Sequence, residues 1–198
     1  MSLAAAGDVN PNKKLIYQAD SSGTVFVKEG NGHVVHTTKA AGGYELIEEG
    51  DYKEGYKQGK WTGKYTSGQS SFTENYEAGK LISGESIVNG TRHSYKHEME
   101  PPQYKGGIQA WYSYIAYSMK YPTEAVQMKI QGVVLTEFTI DMDGSITDII
   151  IRKSVDPALD NEARRLLQKA PKWIPAKFRG VPVKVKQTQP FSFRLPKN

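Results

Sequence analysis

The 198-residue sequence predicts an α+β fold in two parts. An amino-terminal scaffold of antiparallel β-hairpin repeats is followed by a small antiparallel sheet with two helices packed on one face. Three observations predict it. A Tyr/Gly/aromatic pattern recurs at an offset of 24 residues in the first half. Apolar residues over 108–119 follow the spacing of one helical face. Hairpin, helix and strand patterns then succeed one another up to the carboxyl end.

Tyr52-Lys53-Glu54-Gly55-Tyr56-Lys57-Gln58-Gly59-Lys60-Trp61 returns as Tyr76-Glu77-Ala78-Gly79-Lys80-Leu81-Ile82-Ser83-Gly84-Glu85, with one residue inserted before the last glycine. Glycine supplies the positive φ of a tight turn, and the flanking aromatic and β-branched residues suit half-buried strands. A lone hairpin cannot bury its apolar face, so stacked copies sharing Tyr52, Trp61, Tyr65 and Tyr76 are expected. This pattern resembles the MORN-like repeats of the YwqK type, which implies an elongated β scaffold over residues 15–100. Residues 1–14 read as a disordered leader or a cloning remnant.

Glu98-Met99-Glu100-Pro101-Pro102-Gln103 is charged and proline-bearing, which puts a boundary near residue 100 and a second domain over 101–198. Ile108, Trp111, Tyr112, Ile115, Ala116 and Met119 form one helical face, and Pro122 halts that helix. Gly132 to Arg152 reads as a hairpin turning at Asp141-Met142-Asp143-Gly144. Asp156-Pro157 is a helix start, an N-cap acceptor followed by proline at the first helical position. Leu159, Ala163, Leu166, Leu167 and Ala170 are its buried stripe. Val183, Val185, Phe191, Phe193 and Leu195 alternate with Lys184, Lys186, Ser192 and Arg194, which predicts a last strand with one wet, cationic face. Pro190 within it points to a sheet edge.

The net charge of +5 is unevenly spread. Residues 1–100 carry 11 basic and 13 acidic side chains, the remainder 15 and 8, and no acid follows Glu162. A solvated basic face accounts for this; a partner of negative sign is the sharper reading. No recognised nucleic-acid-binding pattern accompanies the charge, so no nucleic-acid partner is expected. The absence of cysteine excludes disulfides, thiolate zinc sites and cysteine nucleophiles. No window is apolar enough to cross a membrane as a helix, and the first residues lack the basic and apolar regions of a signal peptide.

Residues 103–196 resemble the carboxy-terminal domain of TonB, the periplasmic energy-transducing protein of Gram-negative bacteria. The resemblance rests on Gly106-Gly107, Tyr121-Pro122, Gly132-x-Val134, Asp143-Gly144, Asp156-Pro157-x-Leu159-Asp160-x-Glu162-Ala163, Trp173-x-Pro175, Gly180-x-Pro182-Val183 and Pro190-x-x-Phe193-x-Leu195-Pro196. It implies a TonB C-terminal-like domain that binds an extended peptide, the TonB box of an outer-membrane TonB-dependent transporter, by β-strand addition. It further implies partner contacts at Val183, Lys184, Val185, Lys186 and Gln187, with Lys120, Tyr121 and Pro122 bracing the partner's flank. A periplasmic location follows, with the native anchor or signal sequence missing from this chain and membrane contact only through that anchor. For Tyr121 and Pro122, helix termination and packing are the plainer account. Lys184, Lys186 and Pro190 either protect an edge or match an acidic peptide.

No catalytic residue, metal site or cofactor is expected. His33 and His36 are three apart and His93 and His97 four apart. The second spacing suits one helical face, but that stretch reads as strand and linker with no nearby third ligand. Asp141-x-Asp143-Gly144 has its glycine too early for a calcium loop. No nucleophile elbow, Walker loop or dinucleotide fingerprint occurs. The rival to peptide binding is an assembly module in which the same edge strand pairs with its own copy as a homodimer. A toxin-neutralising or cell-wall-binding role for the repeats is a third reading.

Overall fold

The computed structural model describes Leu15, Gln18–Ala19 and residues 25–195. The expected leader, residues 1–14, lies outside the described residues. Two units are present: the described residues up to Glu100 together with Phe178–Val181 form the first, and Pro101–Lys177 with Pro182 onward form the second. The architecture is α+β, with antiparallel sheets and few helices.

In the first unit β1 (Gln18–Ala19) pairs with β2 (Val25–Val27). A six-stranded antiparallel meander then runs in chain order: β3 (Gly32–Lys39), β4 (Glu45–Lys53), β5 (Tyr56–Tyr65), β6 (Ser70–Glu77), β7 (Lys80–Val88) and β8 (Thr91–Tyr95). A short strand, β9 (Met99–Glu100), follows. Glu54-Gly55, Ala78-Gly79 and Asn89-Gly90 turn three of the hairpins with positive φ at both residues. That is the primed geometry whose twist matches paired strands. The repeated Gly55 and Gly79 thus occupy the same position of the same turn.

One face of the meander is buried. Trp61 is fully buried and packs edge-on against Tyr52 at 5.2 Å and Tyr76 at 6.4 Å between ring centroids. Lys57 places its ammonium 4.1 Å from the Trp61 ring centroid. Gly63 and Gly84 lie opposite Phe72 and Tyr95 on the next strands. A Cβ would come within 2.0 Å of the Phe72 ring at Gly63 and 2.2 Å of the Tyr95 ring at Gly84. The bare backbone is therefore the floor on which the neighbouring ring lies. Gly59 and Gly84, aligned in the sequence repeat, differ here: Gly59 has φ 65° beside a register shift, whereas Gly84 sits under an aromatic ring.

The same buried face carries charge. Glu74 is fully buried and accepts hydrogen bonds from the hydroxyls of Tyr76 (3.0 Å) and Tyr95 (2.8 Å). Burial, and then the Glu74 charge, push both phenol pKa values upward, which keeps the two hydroxyls as donors. Arg179 enters from far along the chain. Its guanidinium meets Glu74 at 3.0 Å, Glu98 at 2.8 Å and Glu48 at 3.5 Å. Burial works against the Arg179 charge, but the three carboxylates outweigh it and raise its pKa. Among the described residues Nη1 has no hydrogen-bonding partner, and the Phe72 ring centroid lies 3.4 Å from the guanidinium carbon. Ser86 Oγ donates to the Arg179 carbonyl (2.7 Å), and the Arg179 amide donates to the Glu98 carbonyl (2.7 Å).

The second unit contains α1 (Gly107–Ser118), α2 (Thr123–Gln127), β10 (Gly132–Ile140), β11 (Ile146–Lys153) and α3 (Pro157–Gln168). β12 (Ala176–Phe178) and β13 (Val181–Val183) are joined by the Arg179-Gly180 turn, and β14 (Val185–Phe193) follows. Asp156 caps α3 by accepting from the Ala158 amide at 2.8 Å, as its Asp-Pro start predicts. Its core joins Trp111, Val134, Phe138, Leu159, Leu166, Phe191 and Phe193. Three features depart from the sequence reading. Of the face expected on α1, Trp111 is buried and Ile115 and Met119 are half-buried, but Ile108, Tyr112 and Ala116 are exposed, and Ala110 and Tyr114 pack on the core instead. Chain after Pro122 forms the short α2, and the expected last strand is broken at Lys184 into β13 and β14. The inward and outward alternation still survives that break: Val183, Phe191 and Phe193 are buried while Lys184, Lys186 and Ser192 are exposed.

Two stability predictions follow from the first unit. Gly63→Ala forces a methyl into the Phe72 ring and is expected to lower the unfolding free energy by about 1–3 kcal/mol in urea denaturation. Arg179→Met strands the buried Glu74 carboxylate and is expected to cost about 3–5 kcal/mol. Adding Glu74→Gln to that variant recovers part of the loss in the same assay; strict additivity of the two changes would contradict the pairing.

Candidate functional site: the outer edge of β14

β14 pairs with β10 over nine positions without a register shift, from Ile140↔Val185 to Gly132↔Phe193. The sheet order is β11-β10-β14, so β14 has a paired side and, among the described residues, no strand on its other side. Successive residues of a strand turn their backbone groups alternately to the two sides. Two observations set the phase. The ladder is unbroken at Leu135↔Pro190 although proline has no N–H, which places the Pro190 nitrogen on the outer side. Thr136 Oγ1, on β10, donates to the Gln189 carbonyl at 2.8 Å, so the groups of the neighbouring residue face inward. Lys186, Thr188 and Ser192 therefore present their amides and carbonyls outward, and Val185, Gln187 and Gln189 use theirs on β10.

The side chains around this edge are paired within the chain. Lys184 Nζ lies 2.7 Å from Asp141 Oδ2, and Lys186 Nζ lies 3.3 Å from Glu137 Oε1. Arg152 grips the same Glu137 carboxylate through two nitrogens, at 2.7 and 3.1 Å. Arg152 first, and Lys186 with it, hold the Glu137 carboxyl below its ordinary pKa; Lys184 and then the Met142 amide do the same for Asp141. Asp143, bonded by Lys172 at 2.6 Å and by Ser145, is held well below the usual carboxylate range. Lys184 and Lys186, which the sequence offers either as edge protection or as a match to an acidic peptide, are thus engaged with the chain's own carboxylates.

The expected contact residues fall into two groups. Val183 ends β13 and is buried; Lys184, Val185, Lys186 and Gln187 lead into and begin β14. Lys120, Tyr121 and Pro122 lie near its opposite end. The Tyr121 ring packs edge-on against Phe193 at 5.8 Å, and its hydroxyl donates to the Ile130 carbonyl at 2.6 Å. The Lys120 amide donates to the buried Glu162 carboxylate (2.7 Å), which Arg165 also grips at 2.6 Å. Eight residue steps at roughly 3.3 Å put Val185 about 26 Å from Phe193. The two groups are thus at the two ends of one strand and are not adjacent.

Two residues at the site escaped sequence reasoning. Trp111 of α1 donates its indole N–H to Gln189 Oε1 at 2.8 Å. Glu162 fastens the chain after α1 to α3 through the Lys120 amide; its Glu-x-x-Arg spacing with Arg165 was a visible signal, but the amide it binds lies 42 residues away. Among the described residues no group of three His, Asp or Glu side chains could hold a metal ion, and no helix is long and apolar enough to cross a membrane. What the edge offers chemically is main-chain hydrogen bonding to an extended segment.

The Asp143 pairing makes a prediction. Because its native pKa is depressed, its stabilising contribution is present above the ordinary aspartate pKa and is lost as pH falls through the native value. Lys172→Met is expected to return the Asp143 carboxyl toward ordinary titration, read by carbon-detected NMR. An unchanged titration would contradict the pairing.

No curated protein matches the chain. Residues 117–195, from the end of α1 through β14, match the family of the Gram-negative bacterial TonB protein C-terminal.

Proposed function

We propose that the second unit takes an extended peptide, the TonB box of an outer-membrane TonB-dependent transporter, along the outer edge of β14. The first unit serves as a MORN-like β scaffold for it, and the chain works without catalysis in periplasmic transport or signalling. One observation carries the reading: among the described residues β14 has one side without a partner strand, inside the segment that matches the TonB C-terminal family. The recurrence of the Gly55 turn at Gly79 supports the repeat scaffold. Main-chain bonds to Lys186 and Thr188 supply affinity, and selectivity rests on neighbouring side chains rather than on free positive charge, since Lys184 and Lys186 are paired.

Calorimetric titration of the full chain with a TonB-box peptide tests this. Thr188→Pro removes an outward N–H while sparing the β10 ladder, as Pro190 already does. It is expected to weaken peptide binding about tenfold with little change in the thermal midpoint. A chain that sediments as a tight dimer and ignores the peptide is instead an assembly module pairing through the same edge.

A further inference from the structure

The outer edge of β14 is not uniform along its length. At Lys186 and Thr188 both an amide and a carbonyl face outward. At Pro190 the donor is absent by covalent structure. The remaining outward group there, the Pro190 carbonyl, accepts a hydrogen bond from Gln189 Nε2 at 2.7 Å. That amide is itself oriented from α1, since Gln189 Oε1 accepts the indole N–H of the buried Trp111 at 2.8 Å. With its oxygen committed to Trp111, the Gln189 amide presents its nitrogen to the proline carbonyl. One position of the edge therefore has no donor and an acceptor that already takes a side-chain hydrogen bond. The Gln189 amide stands beside it, and Trp111, which orients that amide, is buried in the core.

We infer that the Trp111–Gln189–Pro190 chain closes the β14 edge at Pro190, so that an added strand pairs only with the Lys186–Thr188 half and is limited to about five residues of ladder. This inference rests on the peptide-taking reading above and specifies its partner: a short extended segment whose main chain leaves the edge before Ser192. The Tyr121 end of β14 then lies beyond the paired segment. A central block of this kind also keeps a long edge from templating another chain, the usual liability of an unpaired strand.

The test uses the full chain and nested TonB-box peptides of five, seven and nine residues with blocked ends. In the unaltered protein the affinity is expected to level off at five residues. Pro190→Val restores an outward donor and Gln189→Met frees the carbonyl. With both changes, each further ladder bond is expected to strengthen binding of the longer peptides about two- to tenfold. Thermal melts establish that the variants are folded, and Pro190→Val alone, which leaves the Trp111–Gln189 bond in place, provides a milder second variant. Affinity that climbs with length in the unaltered protein overturns the closure and leaves the peptide site standing. Failure of every peptide to bind overturns the peptide site and the closure together.

Discussion

The unshifted ladder between β10 and β14 is the constraint on which the second unit depends. It holds Phe191 and Phe193 against the core formed with Trp111, Val134, Leu159 and Leu166. It also decides which backbone groups of β14 are used and which face away. Since each residue other than proline has one donor and one acceptor, committing the odd-numbered residues of β14 to β10 leaves the even-numbered ones for another strand, Pro190 with a carbonyl alone. Edge, phase and the interruption at Pro190 are consequences of that one pairing.

Charge in both units serves geometry before recognition. Around β14, the Lys186–Glu137–Arg152 and Lys184–Asp141 pairs fasten neighbouring strands and the turn after β10. In the first unit, Arg179 answers carboxylates that the meander buries on the face bearing Trp61 and Phe72. A buried carboxylate without a countercharge is costly, and a buried pair is seldom better than an apolar substitute. The arrangement is best understood as specification: Glu48, Glu74 and Glu98 converge on one guanidinium, and few other side chains could satisfy all three.

Much of the fold was legible in the sequence. The helix over 107–118, the Asp156-Pro157 start and the alternation across Val183–Phe193 each reflect local geometry that a short window contains. The buried face of that helix was misread, since Ile108 and Tyr112 fit its apolar spacing and are exposed. The repeat was legible in its turns and less so in its strands. Gly55 and Gly79 match because a two-residue turn is a local object. Gly59 and Gly84 align in sequence and differ in structure because β5 and β7 bulge differently. The short α2 and the break at Lys184 were missed, since five residues and a single residue are too few to leave a period.

Of the site, the strand and its alternation could be read directly, and Pro190 marked it as an edge. The distance between the Lys120–Pro122 group and the Val183–Gln187 group could not, because it depends on the β14 residue against which Tyr121 packs. Composition established the excess of basic residues near the carboxyl end but not that Lys184 and Lys186 are occupied. By itself the sequence determined the longer elements, the glycine-bearing hairpin turns and the alternation along the last strand, because those follow from interactions spanning a few residues. Only the tertiary structure decided which side of β14 stays open, that Gln189 reaches Pro190 under the hold of Trp111, and that Arg179 finds Glu74 across 105 residues. Strand order and ion pairing at such separations are set by packing of the whole chain, which no local period encodes.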